Sequence, residues 1–160
     1  IVCSPGTYAA KEGTSSSCSN CELGRYAENN ASVACDNCTA GKYSASTAAS
    51  LCEKCPEGKF NNERGNAEGC TRCNDPSADY GEEYTSAEGS IVCNMCKEGY
   101  YWHPRDTSGT EYGTCKQCDD GMICTTTEIV LTSLVIEEAY YRFGNWSTDI
   151  YPCNNKNCLG

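Results

Sequence analysis

The chain has 160 residues, 16 of them cysteine, and a formal net charge of −10. Cysteine at one residue in ten indicates a disulfide scaffold made in an oxidising compartment, and the even number allows every thiol to be paired. The acidic charge argues against nucleic acid and anionic membranes as partners, because both bind clusters of Lys and Arg.

Aliphatic residues are scarce, which limits how this chain can fold. Leu, Ile and Val together number 16, and six of them stand in the stretch IVLTSLVI at 129–136. The rest of the chain cannot bury enough apolar surface to offset its conformational entropy without cross-links. The stretch is far shorter than the ~20 apolar residues of a membrane span, so we expect no membrane insertion. Without an initiator Met, Ile1 is expected to begin a processed chain or an excerpt.

From the N-terminus onward, a Cys-x-x-Cys motif recurs six times at a nearly constant period. The pairs are Cys18/Cys21, Cys35/Cys38, Cys52/Cys55, Cys70/Cys73, Cys93/Cys96 and Cys115/Cys118. Cys3 stands where the second member of a further pair would. Such repetition predicts a tandem array of small modules.

Two more residue types recur after the second Cys of each pair. Glycine stands three positions later, at Gly6, Gly24, Gly41, Gly58, Gly99 and Gly121. An aromatic residue stands five positions later, at Tyr8, Tyr26, Tyr43, Phe60 and Tyr101. This predicts a tight turn with glycine at positive φ, then a short strand whose ring covers a disulfide. The repeat after Cys73 has Pro76 and Ala78 in these places, and Tyr80 or Tyr84 is expected to replace its aromatic.

Joining the second Cys of one pair to the first Cys of the next closes one loop in each repeat. The predicted bridges are Cys3–Cys18, Cys21–Cys35, Cys38–Cys52, Cys55–Cys70, Cys73–Cys93 and Cys96–Cys115. Each would restrict the unfolded chain by roughly 3 kcal/mol on the loop-entropy model. The remaining four cysteines allow three pairings. Cys118–Cys124 with Cys153–Cys158 is the local choice, and Cys118–Cys153 with Cys124–Cys158 is its rival.

The predicted fold is small, disulfide-rich and mostly β or irregular: an elongated tandem array of short hairpin modules that ends in a β segment. The predicted modules are 1–18, 21–35, 38–52, 55–70, 73–93, 96–115 and a C-terminal β-rich module at 118–160. In that last module, TTTEIVLTSLVIEEAYYRF predicts one long strand or a hairpin that turns near Thr132-Ser133. Val130 and Val135 are candidate partner contacts on its exposed edge, and Tyr101 and Trp102 are candidates in an aromatic-rich insertion.

The repeats CELGRYA…ACDNC and their siblings resemble the Eph-receptor-like cysteine-rich repeat, which is related to the first module of tumour necrosis factor receptor-like domains. The resemblance covers about residues 3–124. The tail is similar to a segment that follows such repeats in large extracellular proteins of algae and other protists. Here Ala139-Tyr140-Tyr141-Arg142 and Asn157-Cys158-Leu159-Gly160 stand where that segment usually reads Gly-Tyr-Trp-Arg and Ala-Cys-Leu-Gly. The resemblance implies elongated, extracellular, non-catalytic modules used for spacing, adhesion or ligand contact.

Residues for catalysis or metal binding are not suggested by the sequence. Two Cys-x-x-Cys pairs can hold zinc, but an unbroken chain of pairs, cysteines outside the pairs and glycosylation sequons favour disulfides. His103 is the single histidine, and its aromatic surroundings suggest surface packing rather than a general base. We therefore expect no enzyme, no cofactor and no metal. Sequons at Asn30, Asn37 and Asn145 are candidate attachment sites for N-linked glycans.

These features favour an extracellular or cell-surface structural protein, a stapled rod that forms a filament or surface assembly with other copies or modules of itself. The alternative is a receptor or adhesion ectodomain that binds a protein ligand through its longer repeats, around Tyr80–Tyr84 and Tyr100–His103.

Overall fold

A computed structural model of the chain describes residues 2–10, 17–104 and 113–153. The regular structure in these ranges is almost entirely two-stranded antiparallel hairpins. Seven disulfides with both cysteines described each close a loop within one module. The predicted fold class, a disulfide-rich and mostly β array of tandem hairpins, is confirmed. The described ranges contain no helix with the length and apolar character needed to cross a membrane.

The described residues form eight hairpins, which we number in chain order. Their strands are Thr7–Tyr8 with Ser19–Asn20 (hairpin 1), Arg25–Tyr26 with Asp36–Asn37 (2), Lys42–Tyr43 with Glu53–Lys54 (3), Lys59–Phe60 with Thr71–Arg72 (4), Tyr84–Thr85 with Met95–Cys96 (5), Tyr100–His103 with Thr114–Gln117 (6), Met122–Ile123 with Val135–Ile136 (7), and Tyr140–Tyr141 with Tyr151–Pro152 (8). A 3₁₀ turn, Leu131–Ser133, lies within hairpin 7.

A turn followed by a short ladder defines each hairpin, and hairpin 2 illustrates it. The Arg25 N–H donates to the Glu22 carbonyl at 3.1 Å and closes the turn. Gly24 holds the third turn position at φ 75°, where a side chain would be disfavoured. After the second strand, the Cys38 N–H donates back to the Gly24 carbonyl at 2.9 Å. The chain therefore returns to its starting point beside the next cysteine.

The disulfides follow the successive order of the repeat: Cys3–Cys18, Cys21–Cys35, Cys38–Cys52, Cys55–Cys70, Cys73–Cys93 and Cys96–Cys115. Cys118 pairs with Cys124, which is the local alternative and excludes the Cys118–Cys153 bridge. Cys153 is also disulfide-bonded, and Cys158 lies outside the described residues.

The chain divides into two compact units. Unit 1 comprises Ile1–Asp79 and Ser86–Cys93, and unit 2 comprises Tyr80–Thr85 and Asn94–Gly160. Unit 1 therefore contains hairpins 1 to 4 together with the loop of hairpin 5. Unit 2 contains the strands of hairpins 5 to 8.

In unit 1 each hairpin bonds to the next through three main-chain hydrogen bonds that recur in every module. Between hairpins 2 and 3, Gly24 N–H donates to Ser44 O at 2.8 Å, Ala27 N–H to Ala49 O at 3.1 Å, and Ala48 N–H to Cys21 O at 2.8 Å. The same three bonds join hairpins 1 and 2, hairpins 3 and 4, and hairpin 4 and the loop of hairpin 5. Main-chain bonding thus supplies the contact that a hydrophobic core gives to larger domains.

The turn glycines of hairpins 1 to 3 also pack against the module two places further along. A Cβ on Gly24 in hairpin 2 would overlap the main-chain carbonyl of Gly65 in hairpin 4. Gly6 approaches the Ala48 carbonyl in the same way, and Gly41 approaches that of Gly89. Glycine at these turns therefore satisfies two requirements, positive φ and close approach of two backbones.

In hairpins 2 to 5 the residue just after the first strand is buried, and it is small or polar. Ala27, Ser44, Asn61 and Ser86 occupy these positions, and all are buried. The Asn61 side-chain amide donates to Lys42 O at 2.9 Å and Glu63 O at 3.0 Å, and its oxygen accepts from Glu63 N. The Ser86 hydroxyl likewise donates to Lys59 O at 2.7 Å. These bonds satisfy polar groups that burial would otherwise destabilise.

Unit 2 differs because aliphatic side chains form a core there. Tyr101, Met122, Cys124, Leu131 and Leu134 are buried together. Partly buried hydrophobic residues pack against this cluster: Cys118, Ile129, Ile136 and Ile150.

Two modules lie within the region that the sequence assigns to one C-terminal module. Leu134 directly precedes the second strand of hairpin 7. In hairpins 1 to 4 this position is occupied by the first Cys of a Cys-x-x-Cys pair. Cys118 is instead bonded to Cys124, six residues away. In hairpin 8, Ala139 takes the turn position of glycine at φ 75°, and its carbonyl accepts the Cys153 N–H at 2.7 Å. Hairpins 7 and 8 thus keep the repeat while losing its cysteine signature.

The expectation of one long strand, or of a hairpin turning at Thr132-Ser133, is wrong. The 3₁₀ turn covers Leu131–Ser133, but Val135–Ile136 pairs with Met122–Ile123 rather than with residues before the turn. The reason is that the repeat places a turn at Asp119–Met122, closed by Met122 N–H to Asp119 O at 3.0 Å. That turn sets the pairing of hairpin 7.

Hairpin 5 forms its turn later than the other hairpins. Pro76 holds the usual glycine position and has no N–H to donate to a neighbouring module. The turn instead closes from Tyr84 N–H to Gly81 O at 3.2 Å. Thr85 holds the second strand position, where most other hairpins have an aromatic residue, and Tyr84 holds the first. Neither Tyr80 nor Tyr84 therefore replaces the missing aromatic.

Candidate interaction surface

The cysteines lie inside the modules, where they act as staples. In five of the six pairs the second Cys is the more buried one, and Cys21, Cys38 and Cys55 are 0% exposed. Each described cysteine is disulfide-bonded, whereas thiol chemistry requires a free thiolate. Among the residues that the structure describes, no group of three or more His, Cys, Asp or Glu side chains could hold a metal ion.

The four residues proposed as partner contacts separate into two groups. Tyr101 is only 2% exposed and belongs to the core of unit 2, so it is not a contact residue. This burial has a sequence signal, because Tyr101 occupies the recurring aromatic position. Trp102 is half-buried, and its main-chain N–H donates to Ile129 O at 2.7 Å. Val130 and Val135 are 37% and 58% exposed.

An apolar patch extends from these two valines. Ile123 lies directly opposite Val135 in hairpin 7, and it too is exposed. Val130 forms a parallel bridge with Trp102. We call Ile123, Val130 and Val135 the valine patch. Ile123 and Val135 are cross-strand neighbours, and exposed apolar residues grouped on a surface are typical of contact sites.

Aromatic rings from hairpins 5 and 6 form a second surface in unit 2. The ring of Tyr84 lies 5.7 Å from that of Tyr80 and 6.4 Å from that of Trp102, the latter edge-on. All three side chains are partly exposed. The structure therefore brings together the two longer repeats that the sequence associates with ligand contact. His103 lies opposite Thr114 at the end of hairpin 6, with its ring 6.4 Å from that of Tyr101.

Sequence reasoning missed a third group, the aromatic trio of Tyr141, Phe143 and Tyr151 in hairpin 8. The three ring centroids lie 5.4–5.6 Å from one another. The signal was present, because Tyr141 and Phe143 are two residues apart and so share one side of an extended chain. The sequence prediction instead places both residues in one long strand, or in a hairpin that turns near Thr132-Ser133.

A cleft of about 810 Å³ lies beside this trio, lined by Gln117, Cys118, Asp119, Asp120, Tyr140, Thr148, Asp149, Ile150, Tyr151 and Pro152. Three carboxylates make the cleft acidic. The charge of Asp119 also reaches the core, where burial first and this charge second raise the pKa of Tyr101 above its ordinary value. An acidic cleft of this kind disfavours anionic ligands.

The sequons occupy different environments. Asn30 and Asn145 are exposed in loops. Asn37 is exposed within hairpin 2, but its side-chain oxygen accepts a hydrogen bond from Arg25 Nε at 2.9 Å. It also directly precedes the fully buried Cys38. Local structure therefore favours Asn30 and Asn145 over Asn37 as glycan carriers.

Two further groups have shifted pKa values. Tyr43 donates to its cross-strand partner Glu53 at 2.8 Å, and this hydrogen bond is the main cause of its raised pKa. Asp75 accepts hydrogen bonds from the Ser77 hydroxyl and N–H, which lower its pKa. Both pairs stabilise local turns or strand pairs on the surface of unit 1.

Comparisons with known proteins do not assign this chain to a family. No protein-family model matches it, and no curated protein matches it either.

Proposed function

We propose that this chain is a non-enzymatic structural protein of the extracellular space or cell surface, and that it forms a filament or coat with other copies or modules of itself. The observation that carries the proposal is the recurring set of three main-chain bonds between successive modules of unit 1. Repeats that bond only to near neighbours can be extended without redesigning a core. A bridge in each of hairpins 1 to 6 prevents local unfolding from spreading.

The disulfides indicate an oxidising environment, and the extracellular location is the proposal that agrees best with them. The resemblance to Eph-receptor-like cysteine-rich repeats remains part of this proposal. It is supported by the recurring cysteine, glycine and aromatic positions. Each of these positions has a structural role in the hairpins: staple, turn and half-buried strand residue.

The valine patch is the proposed contact between copies. Unit 1 is joined internally by main-chain bonds, whereas unit 2 carries Ile123, Val130 and Val135 as exposed apolar residues. Burying such side chains against a second copy is favourable by about 25 cal/mol per Å² of apolar surface. An acidic chain needs an uncharged surface of this kind to associate with itself, because like charges repel elsewhere.

The test is a pair of matched substitutions. Val130→Asp with Val135→Asp should abolish assembly, measured by electron microscopy and light scattering of the secreted protein. Val33→Asp is the control, because Val33 is similarly exposed at 53% but lies in unit 1. Labelling with a thiol reagent without reduction should show no free cysteine in either variant. Assembly that survives the double substitution, or that fails equally in the control, would overturn the proposal.

The alternative function is a ligand-binding or adhesion ectodomain. It is favoured by the partly exposed Tyr80, Tyr84 and Trp102 rings, since aromatic residues are enriched at binding hot spots. A dispersed monomer attached to a membrane in native material would support this alternative. Loss of ligand capture on Tyr84→Ala, with the valine patch intact, would identify the surface.

A further inference from the structure

Phe143 is a large apolar residue that the fold leaves uncovered. Its side chain is 74% exposed, although its ring lies 5.6 Å from the ring of Tyr141 and 5.4 Å from that of Tyr151, both edge-on. The two tyrosines hold the ring in place rather than cover it. An exposed aromatic ring flanked by two others offers an apolar face to a ligand.

The adjoining turn is held rigidly beside this ring. The Ser147 N–H donates to Gly144 O at 3.0 Å, which places Asn145 and Trp146 at the centre of a turn. One guanidinium nitrogen of Arg142 donates to Asn145 O at 3.2 Å and to Leu131 O at 2.7 Å. The other donates to Leu134 O at 2.9 Å. Arg142 thereby ties the Asn145 backbone to the segment that forms the core of unit 2.

Asn145 is the acceptor of the sequon Asn145-Trp146-Ser147, and Phe143 stands two residues before it. We propose that the first N-acetylglucosamine of a glycan on Asn145 packs on the Phe143 ring. The aromatic trio of Tyr141, Phe143 and Tyr151 then binds the glycan that the same chain carries. This inference rests on the proposed secretion of the protein. One face of a pyranose presents C–H groups, which an aromatic face attracts through its negative quadrupole.

The other two sequons provide an internal contrast. Glu28 and Cys35 stand two residues before Asn30 and Asn37, so neither site has an aromatic ring in the corresponding place. A glycan at Asn30 should therefore contribute solubility without stabilising the fold. A glycan at Asn145 should do both, because it covers an apolar ring that is anchored to unit 2.

The experiment uses protein secreted from a eukaryotic host, with glycan occupancy read by mass spectrometry. Asn145→Gln should lower the Tm by about 2–4 °C, the shift expected for one modest interaction in a chain of this size. The same change on a Phe143→Ala background should have no effect, because the two residues would then be uncoupled. Asn30→Gln is the control and should leave the Tm unchanged. In wild-type protein, the N-acetyl and ring protons of the first sugar at Asn145 should show upfield NMR shifts from the Phe143 ring.

The outcomes separate this inference from the proposed function. An occupied Asn145 without coupling or upfield shifts overturns the inference and leaves the structural role intact. An unoccupied Asn145 overturns it as well and also counts against the glycoprotein character. If Phe143→Ala prevents assembly of copies while the sugar shows no ring shift, the aromatic trio binds another copy and the inference is wrong.

Discussion

Replacing Gly24 by Ala tests the packing of the hairpin 2 turn against hairpin 4. The matched control is Gly65→Ala, since Gly65 provides the carbonyl that Gly24 approaches. Both residues have positive φ, 75° and 72°. A Cβ on Gly24 would overlap that carbonyl, whereas a Cβ on Gly65 would meet only the Asn37 side chain, at 3.5 Å or more. Ala48 holds the place of Gly65 in hairpin 3, with φ 59°.

The two variants share one energetic term and differ in the other. An L-residue in the left-handed region costs about 1–2 kcal/mol, and both variants incur it. Only Gly24→Ala also overpacks a filled site, which adds about 1–3 kcal/mol. A difference of about 2 kcal/mol corresponds to a Tm roughly 6 °C lower for Gly24→Ala in a chain of this size.

Thermal melting without reductant and amide hydrogen exchange measure this difference. The Cys38 N–H, which donates to Gly24 O, should exchange about thirtyfold faster in Gly24→Ala than in Gly65→Ala. Non-reducing mass spectrometry should confirm that both variants have formed all their bridges. Equal Tm values for the two variants, or a lower one for Gly65→Ala, would refute the proposed close packing between modules.

Three further predictions concern buried residues of the two units. Leu134→Ala should lower the free energy of unfolding by about 2–5 kcal/mol, because Leu134 is buried, whereas Val135→Ala on its exposed neighbour should change it by about 0.5 kcal/mol or less; denaturant titration measures both. Asn61→Ala should cost about 1–3 kcal/mol and speed amide exchange at Glu63, which would lose its acceptor. In a spectrophotometric alkaline titration Tyr101 should ionise late, because burial raises its pKa. Stability that depends on its neutral form is present below pH 10.0 and is lost above it, and Tyr101→Phe should remove that loss.

The staples and the turn-strand unit could be predicted from the sequence because each depends on residues with a narrow structural role. Cysteine pairs need close, specific geometry, and glycine supplies positive φ without steric cost. A period built from both residue types therefore defines a module and its bridge. The bonds between modules have no such signature. They join main-chain atoms of residues such as Ala27 and Ser44, which many sequences could replace.

Hairpins 7 and 8 were missed for a related reason. Leu134 occupies the position of a bridging cysteine, and Ala139 occupies the position of a turn glycine. The residue types differ from the repeat, but the backbone conformation is the same, with Ala139 at positive φ. Ala139 accepts the strain of positive φ because its carbonyl still bonds to Cys153 N–H. The run of aliphatic residues at 129–136 then reads as one strand. In the structure alternate parts of it enter the core and face solvent, with Leu131 and Leu134 inside and Val130 and Val135 outside.

The exchange of cysteine for aliphatic residues in hairpins 7 and 8 bears on function. A stapled module needs few buried side chains, so the strand residues of unit 1 are free to be charged or polar, as Lys42, Lys54 and Glu53 are. In hairpins 7 and 8 an aliphatic residue replaces the cysteine that precedes the second strand in hairpins 1 to 4, although Cys118, Cys124 and Cys153 remain disulfide-bonded. These modules bury aliphatic and aromatic residues, and short strands cannot cover all of them. Among the described residues of unit 2, the large apolar side chains that stay exposed are those of Ile123, Val130, Val135, Phe143, Trp146 and Tyr151. The replacement of cysteine by aliphatic residues before the second strand therefore also creates the apolar surfaces on which both proposals depend, the valine patch and the ring two residues before Asn145.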